Sequence, residues 1–179
     1  RLISNVVIEG ATEIGENCTI YPFTSIGLPP QDMKYKGEKT EVKIGNQNTI
    51  REYITIHRAS VSGDGITAIG DHNFLMAYVH IAHDCKIGNS VIMANLATLA
   101  GHVSIEDHAV IGGLVAIHQF TRVGAYTMVG GFSGVGQDIP PYMIASGARV
   151  KLFGLNTVGL KRHGFSDSTV NELKKAYKI

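Results

Sequence analysis

The sequence contains little charge of either sign. Charged residues fill 17% of its 179 positions, and their formal sum at pH 7 is +1. Binding to nucleic acid depends largely on lysine and arginine contacts with phosphates, so no strong sequence-independent attraction is expected. No apolar run reaches the roughly 20 residues of a membrane-spanning helix. We therefore expect neither a nucleic-acid partner nor a membrane span.

Cysteine is scarce as well, and tryptophan is absent. Cys18 and Cys85 do not follow the spacing of a zinc site. They could form one disulfide, but we expect two free thiols in a cytoplasmic protein. The first residue is Arg1 rather than methionine, and Ile179 falls inside an expected helix. We interpret these ends as those of a fragment, which a targeting segment could precede.

Aliphatic residues recur at every sixth position. The longest run has twelve members: Ile69, Leu75, Ile81, Ile87, Met93, Leu99, Ile105, Ile111, Ile117, Val123, Val129 and Val135. Two positions after the aliphatic residue, glycine, asparagine and aspartate are common. These residues tolerate the left-handed backbone of a tight bend, and we expect the bend there. A period of six fits neither a helix nor one long strand, but it fits a short strand followed by a bend.

This repeat predicts an all-β fold, the parallel β-helix of hexapeptide repeats. In our interpretation residues 1–147 form the coil, with one inward aliphatic residue per bend filling its interior. The period breaks at 27–43 and 57–68, which we interpret as loops ejected from the coil. Loops inserted into a uniform stack often carry functional residues.

The six-residue period ends before residues 148–179, where a short C-terminal α-helical segment is predicted. One face of the expected helix is formed by Val170, Leu173 and Tyr177. Ser166 or Asp167 is a suitable N-cap for it. We expect this helical region to be truncated and to cover the last edge of the coil.

The repeat is similar to that of hexapeptide-repeat transferases. This resemblance implies three hexapeptides per triangular coil and a left-handed winding, against the usual hand of parallel crossovers. With eighteen residues per coil, residue i stacks on residue i+18 at a spacing of about 4.8 Å. Seven residues then gather at one corner: His80, His83, Asp84, Gly101, His102, His118 and Gln119. In this arrangement His83 stacks on Gly101, and Asp84 neighbours His102.

Two chemistries suit this corner. In the first, His83 takes a proton from a substrate hydroxyl, Asp84 orients the imidazole, and the Gly101 N–H stabilises an oxyanion. In the second, histidines from adjacent coils or chains hold zinc with an open coordination position. Carbonic anhydrases built on the same type of β-helix use such a site. The spacing of the residues does not decide between the two.

Eight short motifs together resemble the UDP-N-acetylglucosamine O-acyltransferase family, which catalyses the first step of lipid A synthesis. They are QDMKYKGE, IREYITIHR, HIAHDCKIGN, ANLATLAGHV, AIHQF, MVGG, DIPPY and GLKRHGF. The resemblance covers essentially the whole chain, and the order of the motifs is more specific than the repeat. It implies transfer of a 3-hydroxyacyl chain from acyl carrier protein to the 3-position of UDP-N-acetylglucosamine. It also implies that no cofactor is needed and that a homotrimer has its active sites in clefts between subunits.

The family resemblance also implies a role for individual residues. His83 would be the general base, Asp84 its partner and Gly101 the oxyanion donor. The implied substrate-binding residues are Gln31, Asp32, Lys34, His80, His102, His118, Gln119, Asn156 and Arg162. The length of the acyl chain would be measured at Gly131, with Met128 on the wall of the groove. No metal ligand is implied.

Three positions leave questions open. Well-known members of the family carry a glutamate where this chain has Val158 and an arginine where it has His163. We therefore leave both residues out of the predicted site. Arg149 could also block the acyl groove. The alternatives are a zinc hydratase of the same fold and a related acyltransferase that acts on a 3-amino sugar nucleotide.

Overall fold

The computed structural model describes residues 1–177, which form 21 strands and two helices. The first ten strands are β1 (Val7–Ile8), β2 (Ala11–Ile14), β3 (Thr19–Ile20), β4 (Ser25–Leu28), β5 (Glu41–Ile44), β6 (Thr49–Ile50), β7 (Thr55–His57), β8 (Ile66–Ile69), β9 (Phe74–Leu75) and β10 (His80–Ile81). The next nine are β11 (Lys86–Ile87), β12 (Ile92–Met93), β13 (Thr98–Leu99), β14 (Ser104–Ile105), β15 (Val110–Ile111), β16 (Ala116–Ile117), β17 (Arg122–Val123), β18 (Met128–Val129) and β19 (Gly134–Val135). They are followed by β20 (Met143–Ser146), β21 (Lys151–Leu155), α1 (Thr157–Arg162) and α2 (Asp167–Tyr177).

From β1 to β19, every third strand belongs to the same sheet. The first sheet begins with β1 and β4, the second with β2 and β5, and the third with β3 and β6. Neighbouring strands of these series are parallel, and His80 pairs with Thr98, eighteen residues later. The prediction of an all-β, left-handed parallel β-helix is confirmed.

The predicted inward aliphatic residues form the core. All twelve members of the run from Ile69 to Val135 are buried. Burying such a side chain contributes about 1.5–3 kcal/mol relative to leaving it exposed. Leu2 and Ile8, which share the period, are instead 58% and 40% exposed, because they belong to the first coil of this chain.

The bends lie one residue later than the sequence pattern suggested. The left-handed backbone falls three positions after the aliphatic residue, as at Asp84 (φ 61°), His102 (φ 62°) and Phe120 (φ 64°). Gly101, two positions after Leu99, does not have a left-handed φ. The small residue is needed there for space: an added Cβ would lie 2.5 Å from Cε1 of His83 in the coil below.

Three corners connect the sheets. We call the corner between the first and second sheets the first corner; it carries Asp84 and His102. The second corner joins the second and third sheets and carries His108 and Tyr126. The third corner joins the third and first sheets and carries Phe132.

Both predicted loops lie at the first corner, but they are shorter than predicted. They cover residues 29–40 and 58–65, because β4, β5, β7 and β8 extend into the predicted ranges 27–43 and 57–68. The shorter loop is also not simply ejected. Ala59 and Ser60 are buried at 0% and 2% exposure, so this loop packs against the coil.

The last edge of the third sheet is a strand rather than a helix. β21 pairs antiparallel with β20 at the end of that sheet, within residues predicted to begin the helical region. This single antiparallel strand lacks the six-residue period, so the pattern could not reveal it. Neither helix within residues 1–177 is long and apolar enough to cross a membrane.

The predicted C-terminal helix is α2, with Ser166 as its cap, and α1 precedes it as a second helix that the sequence did not indicate. The Ser166 Oγ accepts a hydrogen bond from the Thr169 N–H at 3.1 Å. Val170 is buried, but Tyr177 at the far end of the predicted face is 47% exposed. The segment between the helices packs along the second corner, where the Phe165 ring lies 5.0 Å from that of Tyr126.

Candidate active site

An open cleft of about 1000 Å³ lies along the first sheet and the first corner. Five of the predicted site residues line it: Gln31, His80, His83, Gly101 and His118. The rest of the lining is mainly apolar, with small side chains such as Ala82, Ala100 and Ala116. A cleft with an apolar lining and a few convergent polar groups is the usual form of a ligand site.

His83 and Asp84 form a hydrogen-bonded pair at the first corner. The Nδ1 atom of His83 lies 2.8 Å from Oδ2 of Asp84. The Asp84 side chain is 2% exposed, whereas that of His83 is 16% exposed. Since Nδ1 faces the carboxylate, Nε2 is the nitrogen left to take a proton from a ligand.

Gly101 lies directly against the imidazole of His83. A Cβ added at Gly101 would be 2.5 Å from Cε1 and 2.7 Å from Nε2 of that ring. Within residues 1–177, no backbone carbonyl accepts a hydrogen bond from the Gly101 N–H. The structure thus brings a free N–H donor next to the expected proton acceptor.

Two residues that hold Asp84 were missed in the sequence. The N–H and Oγ of Ser60 both donate to Oδ2 of Asp84, at 3.0 and 2.7 Å. The Asp84 N–H donates to Oγ1 of Thr67 at 2.9 Å. A usable signal existed, because a polar loop interrupts the repeat at the same corner one coil before His83.

His80 is a partly buried histidine on the first sheet. Its Nδ1 lies 2.6 Å from Oγ1 of Thr55, and its ring meets that of His57 edge-on at 5.4 Å. Burial, together with the neighbouring His57 and His83, lowers the pKa of His80. Its imidazole is therefore mainly neutral near pH 7 and suits hydrogen bonding to a ligand.

The remaining predicted residues of this corner surround the pair. The ring of His102 meets His83 edge-on at 5.3 Å and stacks on Phe120 at 4.5 Å. The Nδ1–H of His118 donates to the carbonyl of Gln119 at 3.2 Å. The sequence-based clustering of histidines at one corner is therefore observed.

A metal could also be held at this corner. One ligand atom each from His83, Asp84 and His102 lies within 4.8 Å of the others. An ion held by Nδ1 of His83 and Oδ2 of Asp84 would replace the hydrogen bond between them. It would also compete with the two donors of Ser60 for that carboxylate oxygen.

The free cysteine beside Asp84 is not a candidate nucleophile. Cys18 and Cys85 are both unpaired and buried. Burial raises the pKa of the Cys85 thiol to about 12, so it stays protonated at neutral pH. A protonated, buried thiol is a poor nucleophile.

Nine of the predicted site residues do not line the cleft of the same chain. Asp84, His102 and Gln119 are bend residues of the first corner, and six others remain. Two of them, Asp32 and Lys34, are on the longer loop, where the Lys34 N–H donates to Oδ1 of Asp32 at 2.9 Å. Met128 is on the third sheet, and Gly131 is at the third corner.

The last two belong to the C-terminal segment. Asn156 caps α1: its Oδ1 accepts from the Gly159 N–H, and its Nδ2 donates to the Tyr126 carbonyl at the second corner. Arg162 is the last residue of α1.

Comparison with known proteins identifies the family. A family model described as UDP-N-acetylglucosamine O-acyltransferase, domain 2, matches residues 138–179, and one for the bacterial transferase hexapeptide matches residues 67–101. A protein from Thermodesulfovibrio yellowstonii named acyl-[acyl-carrier-protein]–UDP-N-acetylglucosamine O-acyltransferase is 79% identical over 179 residues, which are all of this chain and 69% of that protein. A protein of the same name from Verminephrobacter eiseniae is 49% identical over 97% of this chain and 66% of its own length.

Solved structures agree with the sequence comparison. A UDP-N-acetylglucosamine acyltransferase from Bacteroides fragilis superimposes with a TM-score of 0.94 at 39% identity, covering 99% of this chain and 69% of the other. The chain thus spans about two thirds of the length of these relatives. On the strength of its sequence, its repeat and its fold, the chain belongs to the UDP-N-acetylglucosamine O-acyltransferase family.

Proposed function

We propose that this chain transfers a 3-hydroxyacyl group from acyl carrier protein to the 3-hydroxyl of UDP-N-acetylglucosamine, as in lipid A biosynthesis. The names of its relatives support the reaction, and they favour acyl transfer over a zinc hydratase. The observation that carries the proposal is the His83–Asp84 pair, whose ring lies in an apolar cleft against Gly101, a residue whose N–H is unpaired in the part of the chain that the structure describes.

In the proposed mechanism His83 acts first as a base and then as an acid. Its Nε2 takes the proton of the sugar hydroxyl while the oxygen attacks the thioester carbonyl. The carbonyl oxygen becomes negatively charged, and the Gly101 N–H donates a hydrogen bond to it. The intermediate then breaks its carbon–sulfur bond. The departing thiolate receives the proton from His83, which restores the neutral imidazole.

The nature of the acceptor can be tested with two sugars. The wild-type protein would be incubated with a 3-hydroxyacyl carrier protein and either UDP-N-acetylglucosamine or its 3-amino analogue. We expect an ester product from the first sugar, identified by its mass and its lability to alkali. Amide formation from the amino sugar alone would favour the related acyltransferase. Turnover of neither sugar would overturn the proposal.

We also propose a homotrimer, for which the distribution of apolar surface is the main support. The third corner exposes a column of large apolar side chains: Phe23, Tyr53, Tyr78, Leu96, Leu114 and Phe132. Ile92 and Met128 are exposed on the adjacent third sheet. The second sheet instead carries Lys86 and Arg122, each in an ion pair. A contiguous apolar surface of this kind usually marks an interface between proteins.

In this proposal a neighbouring copy completes the active site. The coil of one chain, residues 1–147, supplies His83 and the cleft. The neighbouring chain supplies Met128 and Gly131 to the acyl groove, and Asn156 and Arg162 to the nucleotide. The support is that these four residues do not line the cleft of their own chain.

A mixing experiment tests this shared site. His83→Ala and Arg162→Ala chains, each inactive as a homotrimer in our expectation, would be co-expressed with different tags and purified through both. Each mixed trimer then contains one interface with an intact His83 on one side and an intact Arg162 on the other. We expect about a third of wild-type activity to return, because a cyclic trimer has three such interfaces.

The control for the mixing experiment pairs His83→Ala with Gly101→Ala. Both residues come from the same chain, so no mixed interface contains an intact corner, and no activity should return. If the His83 and Arg162 variants fail to complement each other as well, Arg162 does not act across an interface.

The acyl-chain ruler gives a second prediction. Gly131 does not have a left-handed φ, and an added Cβ would first meet the Gly113 carbonyl oxygen at 3.2 Å, so a side chain can be introduced with a small shift. Gly131→Met should move the preference towards shorter acyl chains by more than about tenfold. The reason is that each buried methylene contributes about 0.8 kcal/mol.

The measurement is kcat/KM for carrier-bound donors of increasing length. Arg149→Ala is the comparison variant, since Arg149 lines the cleft of its own chain. If Arg149 is the residue that blocks the groove, its removal will admit longer chains. In that case Gly131→Met will keep the wild-type preference, which would contradict the prediction.

A further inference from the structure

The Asp84 carboxylate is held almost entirely through one oxygen. Its Oδ2 accepts hydrogen bonds from Nδ1 of His83 at 2.8 Å, from the Ser60 N–H at 3.0 Å and from the Ser60 Oγ at 2.7 Å. The other oxygen, Oδ1, is buried and has no hydrogen-bond partner within residues 1–177. Ser60 therefore provides two of the three donors to the oxygen that faces His83.

The hydroxyl of Ser60 is itself oriented. Ser60 is 2% exposed, and its Oγ accepts a hydrogen bond from the Ser62 N–H at 3.2 Å. Oγ of Ser62 lies 2.5 Å from it and can supply a second donor. With its lone pairs used by Ser62, the Ser60 hydroxyl directs its hydrogen to Asp84.

A buried carboxylate that lacks donors is unstable as an anion and is free to change its rotamer. Ser60 counters both effects, because it hydrogen-bonds the charged form and does so on one oxygen only. Without the Ser60 hydroxyl, Asp84 keeps only the Ser60 N–H as a donor besides His83, and its carboxylate can rotate away from the position in which Oδ2 faces Nδ1. As that hydrogen bond weakens, the imidazole loses its fixed orientation and its fixed Nδ1–H tautomer.

We propose that Ser60 is a positioning residue, which fixes Asp84 and through it the tautomer and orientation of His83. The role in acyl transfer rests on the proposed function. Ser60 does not line the cleft, so it does not contact substrate in this proposal. Its loop, residues 58–65, thereby becomes part of the catalytic apparatus although it belongs to the preceding coil.

The test compares Ser60→Ala with Ser60→Thr. Ser60→Ala should lower kcat by about tenfold to a hundredfold and leave KM for UDP-N-acetylglucosamine within about twofold, because only the orientation of the base changes. Ser60→Thr keeps a hydroxyl and should retain kcat within about threefold of wild type. Equal kcat for Ser60→Ala and wild type would overturn the proposal.

A double-mutant cycle and a matched control variant test whether the role of Ser60 is merely structural. In an Asp84→Asn background, Ser60→Ala should lower kcat by less than about twofold further, since the two residues act as one unit. An undiminished loss in that background would overturn the proposal. Thr24→Ala is the control. Thr24 is also buried, and its Oγ1 donates to the Arg51 carbonyl at 2.8 Å, but it lies in the first coils, away from the cleft and the acyl groove. Its replacement should lower the thermal midpoint and leave kcat unchanged.

The histidine tautomer provides a readout that does not depend on activity. In protein labelled with ¹⁵N-histidine, His83 should be protonated at Nδ1 in the wild type and should show mixed tautomers in Ser60→Ala. Identical tautomer signals in the two proteins would overturn the proposal. If the two proteins differ in their tautomer signals but the wild type transfers no acyl group, the proposed function alone is overturned.

Discussion

His83→Ala should lower acyl transfer by about a hundredfold to ten-thousandfold, the range typical for loss of a general base. The variant should fold, because the imidazole is only partly buried, at the corner, and does not belong to the aliphatic core. The measurement is kcat and kcat/KM with saturating acyl carrier protein substrate. Thermal unfolding of the same samples would show that the coil is intact.

His72→Ala is the matched control for this prediction. His72 is an exposed histidine with the same left-handed backbone (φ 60°), but it lies at the second corner. Its replacement should leave the rate within about twofold of wild type. If His83→Ala keeps near wild-type activity, His83 is not the base, and the mechanism proposed above is wrong.

Gly101→Ala should be nearly as damaging, although it adds only one methyl group. The new Cβ would lie 2.5 Å from Cε1 of His83, a separation that real Cβ atoms essentially never show, so the ring must shift from its position beside Asp84. A displacement of about 1 Å at a catalytic group can lower the rate by about a hundredfold. We expect a loss of that size in kcat, with the fold retained because Gly101 does not need a left-handed φ.

The control is Gly15→Ala, at the second corner of the first coils. Its added Cβ would lie 2.5 Å from Oδ1 of Asn46, as close as the contact at Gly101, but far from His83. This variant should keep activity within about twofold. The double variant with His83→Ala should be no slower than His83→Ala alone, because Gly101→Ala acts by moving that ring. Additive losses would show that the added methyl group also disturbs the Gly101 N–H as the oxyanion donor, independently of the His83 ring.

The aliphatic period predicted the coil because every repeat obeys the same local rule. The twelve aliphatic residues of the run from Ile69 to Val135 must all face inwards. Residues six positions apart can do so only if each repeat consists of a short strand and a bend. Once eighteen residues per coil were assumed from the family resemblance, the spacing also brought His83, Gly101 and His102 to one corner. The structure agrees on each of these points.

The sequence was less informative where the chain leaves the repeat. It misplaced the left-handed residue by one position, because Gly101 is small to make room for His83 rather than to allow a bend. It overestimated the two loops, since the flanking strands are longer than the repeat requires. It also missed β21, whose pairing with β20 depends on a reversal of the chain rather than on periodicity.

By itself, then, the sequence determined the coil and its core, which follow from hydrophobic burial and strand spacing acting on every repeat alike. The corner where the histidines gather follows as well, once the family resemblance supplies eighteen residues per coil. The tertiary structure alone decided that Ser60 reaches Asp84, that one carboxylate oxygen carries the contacts, and that Asn156 lies at another corner. These contacts join residues from different coils or from an inserted loop. Their geometry depends on the path of the backbone in space, for which the order of residues provides no period.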